Sequence, residues 1–134
     1  MTEIPEIDVL TIGETLVDFL ATERTDSLRE ASTFKRYLGG SPANIAVNVS
    51  MLGGKSTIIS KIGVGAFGQF LKGELQYNGV NTDFLVMDHR FNSSVIFVSS
   101  TSGTPDFEPR RSSDYQLTPK DVPEQAILAA KIVH

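Results

Sequence analysis

The chain has 134 residues, 40% of them hydrophobic and 21% charged, with a net charge of −4 and no cysteine. Those figures suit one soluble globular unit and leave no basic footprint for nucleic acid or an anionic membrane surface. They also exclude a disulfide framework and a thiolate metal site. No signal peptide and no apolar run long enough to span a bilayer is seen, so the expected location is the cytoplasm. No internal repeat, low-complexity tract or interdomain linker divides residues 1–134.

Residues 8–12 read as a strand that ends at Gly13. Residues 14–20 alternate imperfectly between apolar and polar and point to a second strand. Residues 21–31 are charged and irregular, the mark of a loop or hairpin tip, and residues 33–38 form another short β-prone run.

Gly39-Gly40-Ser41-Pro42-Ala43-Asn44 then turns sharply into a helix. The glycines permit backbone angles and close approaches that a side chain forbids. Ser41 is the expected N-cap and Pro42 the expected first helical residue. Ile45, Val49 and Leu52 predict the buried face, and Gly53-Gly54 the end of the helix. Free amides at such a helix start, with the Asn44 side chain leaning back toward them, offer donors and an acceptor together. That set suits a sugar hydroxyl better than a phosphate. The same residues would also build an ordinary capped helix with Asn44 bonded locally.

Residues 56–62 predict a second core strand. Gly63-Val64-Gly65-Ala66-Phe67-Gly68 follows it and opens a helix over 67–77, with Phe67, Phe70, Leu71 and Leu75 on one face and Asn78-Gly79 at its end. The glycines match G-x-G-x-x-G, and Asp83 lies at dinucleotide-fingerprint spacing. Against that reading, the pattern sits in the second β-α unit, and Asp83 follows a loop. Residues 82–87 and 93–99 are β-prone. His89, between them, has no partner for a triad or a metal and reads as a solvated loop residue. A turn at 101–105 leads to Arg110 and Arg111, which suit either a substrate carboxylate or pairing with Glu108 or Asp114. Residues 123–130 predict a short helix and residues 131–134 the start of a core strand.

Two stretches carry a resemblance: Gly-Glu-x-Leu-x-Asp at residues 13–18, and Gly-Gly-Ser-Pro-Ala-Asn followed by an apolar helix, Leu-Gly, a strand and Phe67-Gly68. This pattern resembles the ribokinase/pfkB carbohydrate kinases, nearest to the fructokinase, 2-keto-3-deoxygluconate kinase and 5-dehydro-2-deoxygluconokinase branch. It covers residues 8–134 and implies an α/β fold: the N-terminal part of a doubly wound, mostly parallel sheet with a small β lid, drawn from about residues 14–38 and 82–111. Such kinases run to roughly twice this length.

The activity the resemblance implies is ATP-dependent phosphorylation of a hydroxymethyl group on a ketose such as fructose, or on a keto-deoxy sugar acid. This chain would supply the sugar-binding part through Asp18, Gly39, Gly40, Asn44 and Arg111. The catalytic Asp is expected beyond His134, with ATP and Mg²⁺ held mainly by the absent half, so the 134-residue chain alone is expected to be inactive. No residue of this chain is expected to hold a cofactor or metal. A homodimer through the lid is expected, with no nucleic acid or membrane partner.

Relatives carry a Tyr-Arg pair near residues 110–111, and Arg111 keeps the arginine while Arg110 replaces the aromatic. Val64 and Gly65 stand where acidic residues are usual, so neither is assigned a ligand. A non-catalytic sugar-binding or assembly fragment stays open, as does a dinucleotide-binding oxidoreductase fragment using residues 63–68.

Overall fold

A computed structural model describes residues 4–134. In chain order the elements are β1 (Ile7–Ile12), β2 (Leu16–Arg24), β3 (Phe34–Gly39), α1 (Ser41–Met51), β4 (Ser56–Ile62), α2 (Ala66–Tyr77) and β5 (Leu85–Met87). They continue with β6 (Val95–Ser100), β7 (Phe107–Arg110), α3 (Glu124–Ala129) and β8 (Ala130–Val133). Two 3₁₀ turns, Ser113–Gln116 and Pro119–Asp121, lie between β7 and α3.

The first sheet has the order β5-β4-β1-β8, and every pairing in it is parallel. All seven residues of β4 are buried, as expected of a parallel strand covered on both faces. Alternation along β4 divides the core. Ile58 joins Ala43, Ala46, Leu75 and Val80 on the side of α1 and α2. Ile59 joins Ile7, Leu10 and Ala126 on the side of α3. This is the α/β architecture expected from the sequence.

The core face of α1 differs from the expected one. Its buried residues are Ala43 and Ala46, whereas Ile45 and Val49 are half-buried and Leu52 is 89% exposed. Small side chains let the helix axis approach the sheet closely, so the alanines are enclosed first. Leu52 lies past the last helical residue, at the cap.

The start of α1 also differs. Gly40 is the N-cap, with φ +99°, and no side chain caps the helix, while Ser41 is already helical. A Cβ at Gly40 would stand 2.5 Å from the Glu14 carbonyl oxygen, which excludes serine from that position. At the other end, Gly54 N–H donates to Val49 and Gly53 N–H to Ser50, the paired bonds of a Schellman ending.

The second sheet has the order β3-β2-β6-β7. β2 is antiparallel to β3 and parallel to β6, and β7 is antiparallel to β6. β5 belongs to the first sheet, so the second draws on residues 95–110 rather than the whole of 82–111. Val17, Ile62 and Leu71 form the seam between the sheets, with Leu38 and Val95 packed against them. Phe67 on α2 meets Phe19 edge-on at 5.4 Å.

Candidate functional site

The site begins where β1 ends. Gly13 turns the chain, and a Cβ there would meet the Pro42 ring at 2.7 Å, so the β1 exit lies directly against the first turn of α1. Residues 14 and 15 cross to β2. In β2, Asp18 is in register with Tyr37 of β3 and Ile96 of β6. Alternation puts Asp18 on one face with Leu16 and Leu20, and Val17 and Phe19 on the other, toward α2.

Gly39 pairs with Leu16, one step along the same face. Its missing side chain leaves the space in which the Asp18 carboxylate sits. Asp18 is half-buried and has no hydrogen-bond partner among the described residues. Burial pushes its carboxyl above the usual aspartate range, and the negative charge of Glu14 adds to the push. Asn44 stands in the first turn of α1, its backbone N–H donating to Gly40 at 2.9 Å. Its side chain is exposed and also lacks a partner among the described residues. Asp18, Gly39, Gly40 and Asn44 therefore line one junction between the two sheets.

Arg111 reaches that junction from the far end of β7. Its Nε donates to Asp114 Oδ2 at 2.7 Å, and Nη2 reaches the same oxygen. Nη2 also donates to Glu14 Oε2 at 2.8 Å, across 97 residues of sequence. The Asp114 side chain is fully buried. Burial works against its ionisation, but Arg111 and the Ser94 hydroxyl outweigh that and hold the carboxyl below its ordinary range. The bond from Asp114 in turn holds Arg111 above its ordinary value. Arg110, by contrast, pairs with Glu108 on exposed β7.

The Arg111–Asp114 pairing is one of the two expected from the sequence, whereas Glu14 and Ser94 had no assigned role. Glu14 was visible only as part of the Gly-Glu-x-Leu-x-Asp frame, and Ser94 carried no signal at all.

A cavity of about 720 Å³ lies nearby, lined among others by Val64, Phe67, His89, Phe91, Arg110 and Arg111. Val95 also lines it, and Val95 is in register with Val17, so the cavity opens on the face of the second sheet opposite Asp18. Of the expected site residues it shares only Arg111.

The glycine turn at its edge is a packing device. A Cβ on Gly68 would come within 1.7 Å of the Gly63 carbonyl oxygen, whereas Gly65 has nothing within 4 Å. Asp83 sits in a turn before β5, its N–H bonded to Asn81 Oδ1. Among the described residues no group of three His, Asp or Glu side chains converges as metal ligands, and no helix is long and apolar enough to cross a membrane.

Residues 6–134 match the profile of the pfkB family carbohydrate kinase. The chain is 40% identical over 128 residues to the ATP-dependent 6-phosphofructokinase of Thermoanaerobacterium thermosaccharolyticum, covering 95% of this chain and 39% of that protein. It thus spans about two fifths of the length of the curated relatives it matches. The fructokinase structure of Halothermothrix orenii superposes with a TM-score of 0.88 at 40% identity, covering 96% of this chain and 45% of that one. A sugar kinase of Pyrococcus horikoshii solved in complex with ATP superposes with a TM-score of 0.88 at 36% identity, over 93% and 41% of the two chains. The fold, the Gly39-Gly40 turn into α1 and these matches agree: the chain belongs to the pfkB family of carbohydrate kinases.

Proposed function

We propose that this chain forms the sugar-binding part of an enzyme that moves a phosphoryl group from ATP to a sugar hydroxymethyl group. The acceptor is a ketose such as fructose or a keto-deoxy sugar acid. The observation that carries this reading is the Asp18 carboxylate, half-buried and unpartnered among the described residues, held over Gly39 where the chain turns into the helix whose first turn carries the exposed side chain of Asn44. A carboxylate accepts bonds from two neighbouring hydroxyls at once, and an amide donates and accepts.

In this reading Asp18 and Asn44 grip the hydroxyls, and Gly39 and Gly40 let the ring come down onto the backbone. Arg111 closes the far side. In this reading ATP and Mg²⁺ are held mainly by groups outside these 134 residues. What these residues do is bind and orient the acceptor, which sets the geometry of transfer.

The lid supplies the second half of the proposal. Leu20 and Tyr37 are 40% and 43% exposed on the Asp18 face of the second sheet, and β3 is a sheet edge. A second copy covering that face would form a homodimer and shut water out of the site.

Titration calorimetry of the chain with fructose, 2-keto-3-deoxygluconate, ATP and NAD tests the reading. A sugar should bind, and Asp18→Asn should abolish that binding. Sugar binding unaffected by Asp18→Asn, or NAD binding in place of sugar, would overturn it. Phosphorylation of fructose by the purified 134-residue chain alone should be undetectable.

A further inference from the structure

The Glu14–Arg111 bond has a use that the Asp18 reading leaves open. Glu14 sits on the crossing from β1 to β2, with its backbone oxygen and its Cγ both against Gly40. Its side chain is 32% exposed, so it lies at the surface of the same junction as Asp18. Oε2 is taken by Arg111 at 2.8 Å, and Oε1 has no partner among the described residues.

On the guanidinium, Nε and Nη2 are occupied by Asp114 and Glu14, and Nη1 has no partner among the described residues. The fork that would take a substrate carboxylate in bidentate fashion uses two parallel N–H groups. The Nε–Nη2 edge of Arg111 is already spent on Asp114. Glu14 Oε1 and Arg111 Nη1 are left without partners among the described residues, on bonded side chains that are 32% and 44% exposed. A hydroxyl, which donates one bond and accepts others, matches that pair. A carboxylate, which only accepts, meets Nη1 and is repelled by Glu14 and Asp18.

We infer that Glu14 is a second acceptor for the sugar's hydroxyls, working beside Asp18, with Arg111 as its counter-ion and positioning residue, and that the substrate presents a polyol rather than an acid group to this end of the site. The inference rests on the sugar-binding reading above and adds a residue and a substrate class to it.

Calorimetric titration of the 134-residue chain and its Glu14→Ala, Glu14→Gln and Asp18→Asn variants, with fructose and with 2-keto-3-deoxygluconate, tests it. Thermal unfolding without sugar confirms that each variant folds, and Glu14→Gln keeps the packing against Gly40 if Glu14→Ala does not fold. Glu14→Ala should weaken fructose binding about tenfold or more, the loss of one hydrogen bond to a charged group. Glu14→Gln, which keeps one acceptor oxygen, should recover part of that loss. Fructose should bind the wild-type chain more tightly than the acid does.

If Asp18→Asn abolishes binding and both Glu14 variants bind as wild type, the site stands and the role of Glu14 is overturned. Tighter binding of the acid overturns the substrate class. A wild-type chain that binds neither sugar overturns the sugar-binding reading and this inference with it.

Discussion

A methyl carbon on Gly39 would stand 2.3 Å from Asp18 Oδ2. The bare backbone of one strand is therefore the seat of the carboxylate on the next. Gly39→Ala should push Asp18 aside and cut fructose affinity about tenfold or more, at a folding cost of about 1–3 kcal/mol for the forced overlap. Gly65→Ala is the matched control, since its φ is −72° and nothing lies within 4 Å. It should leave the fold unharmed or stabilise it by about 0.4–1 kcal/mol through the unfolded state. Urea unfolding of both variants, beside sugar titration, checks the pair. Equal losses in the two would refute the steric argument.

Asp18 is held above its ordinary pKa by burial and then by Glu14, which fixes the sign of a pH effect. A carboxyl whose folded pKa is raised favours folding while protonated, and that contribution is lost as pH rises through the folded value. Asp18→Asn should therefore melt higher than wild type at about pH 7, with the gap closing near about pH 3. Calorimetric melting across that range measures it. A variant less stable than wild type at neutral pH would show that the carboxylate stabilises the fold instead.

Lys61 poses the opposite case. It is 4% exposed and pairs with Asp121 at 2.9 Å while donating to the Gln116 carbonyl at 2.9 Å. Lys61→Met leaves a nearly buried carboxylate without its cation and should cost about 3 kcal/mol, the low end for breaking a buried pair, because Asp121 keeps 16% exposure. Burial raises the Asp121 pKa, but Lys61 and Thr118 outweigh it and hold the carboxyl low. The stability it adds is present above the unfolded pKa and fades as pH falls. Urea midpoints at neutral and acid pH should show the gap between wild type and Lys61→Met narrowing in acid. A constant gap would remove Asp121 from the account.

The exposed residues on the lid face give a fourth expectation. A full-length kinase carrying these residues should sediment as a dimer at micromolar concentration, and Tyr37→Glu should convert it to monomer. Edge strands with exposed apolar neighbours invite such pairing. A monomer before mutation would dismiss the lid as an interface.

How far the sequence could be read depended on the range of the interaction. The glycine-rich turn into α1 and the parallel α/β core were legible because backbone angles and strand periodicity are local. The alanine face of α1 was not, since a count of large apolar residues overlooks how Ala43 and Ala46 admit the sheet. The cap lies at Gly40 rather than Ser41, at φ +99° and with the Glu14 backbone where a Cβ would stand, a contact from the β1–β2 crossing that local sequence does not show. In the Glu14–Arg111–Asp114–Ser94 cluster only the Arg111–Asp114 pair is local and was legible; Glu14 and Ser94 join it from distant segments of the chain, and nothing in local spacing marks them.

The two sheets are joined by a short crossing at residues 13–15, with Asp18 on one side of it and Asn44 on the other. In the proposed site a sugar held by both would span the two layers, so its binding strength would depend on how they are set against each other. The Phe19–Phe67 contact, which packs the second sheet on α2, would then tune affinity from a distance, as the stiffness of a clamp's frame tunes the force at its jaws.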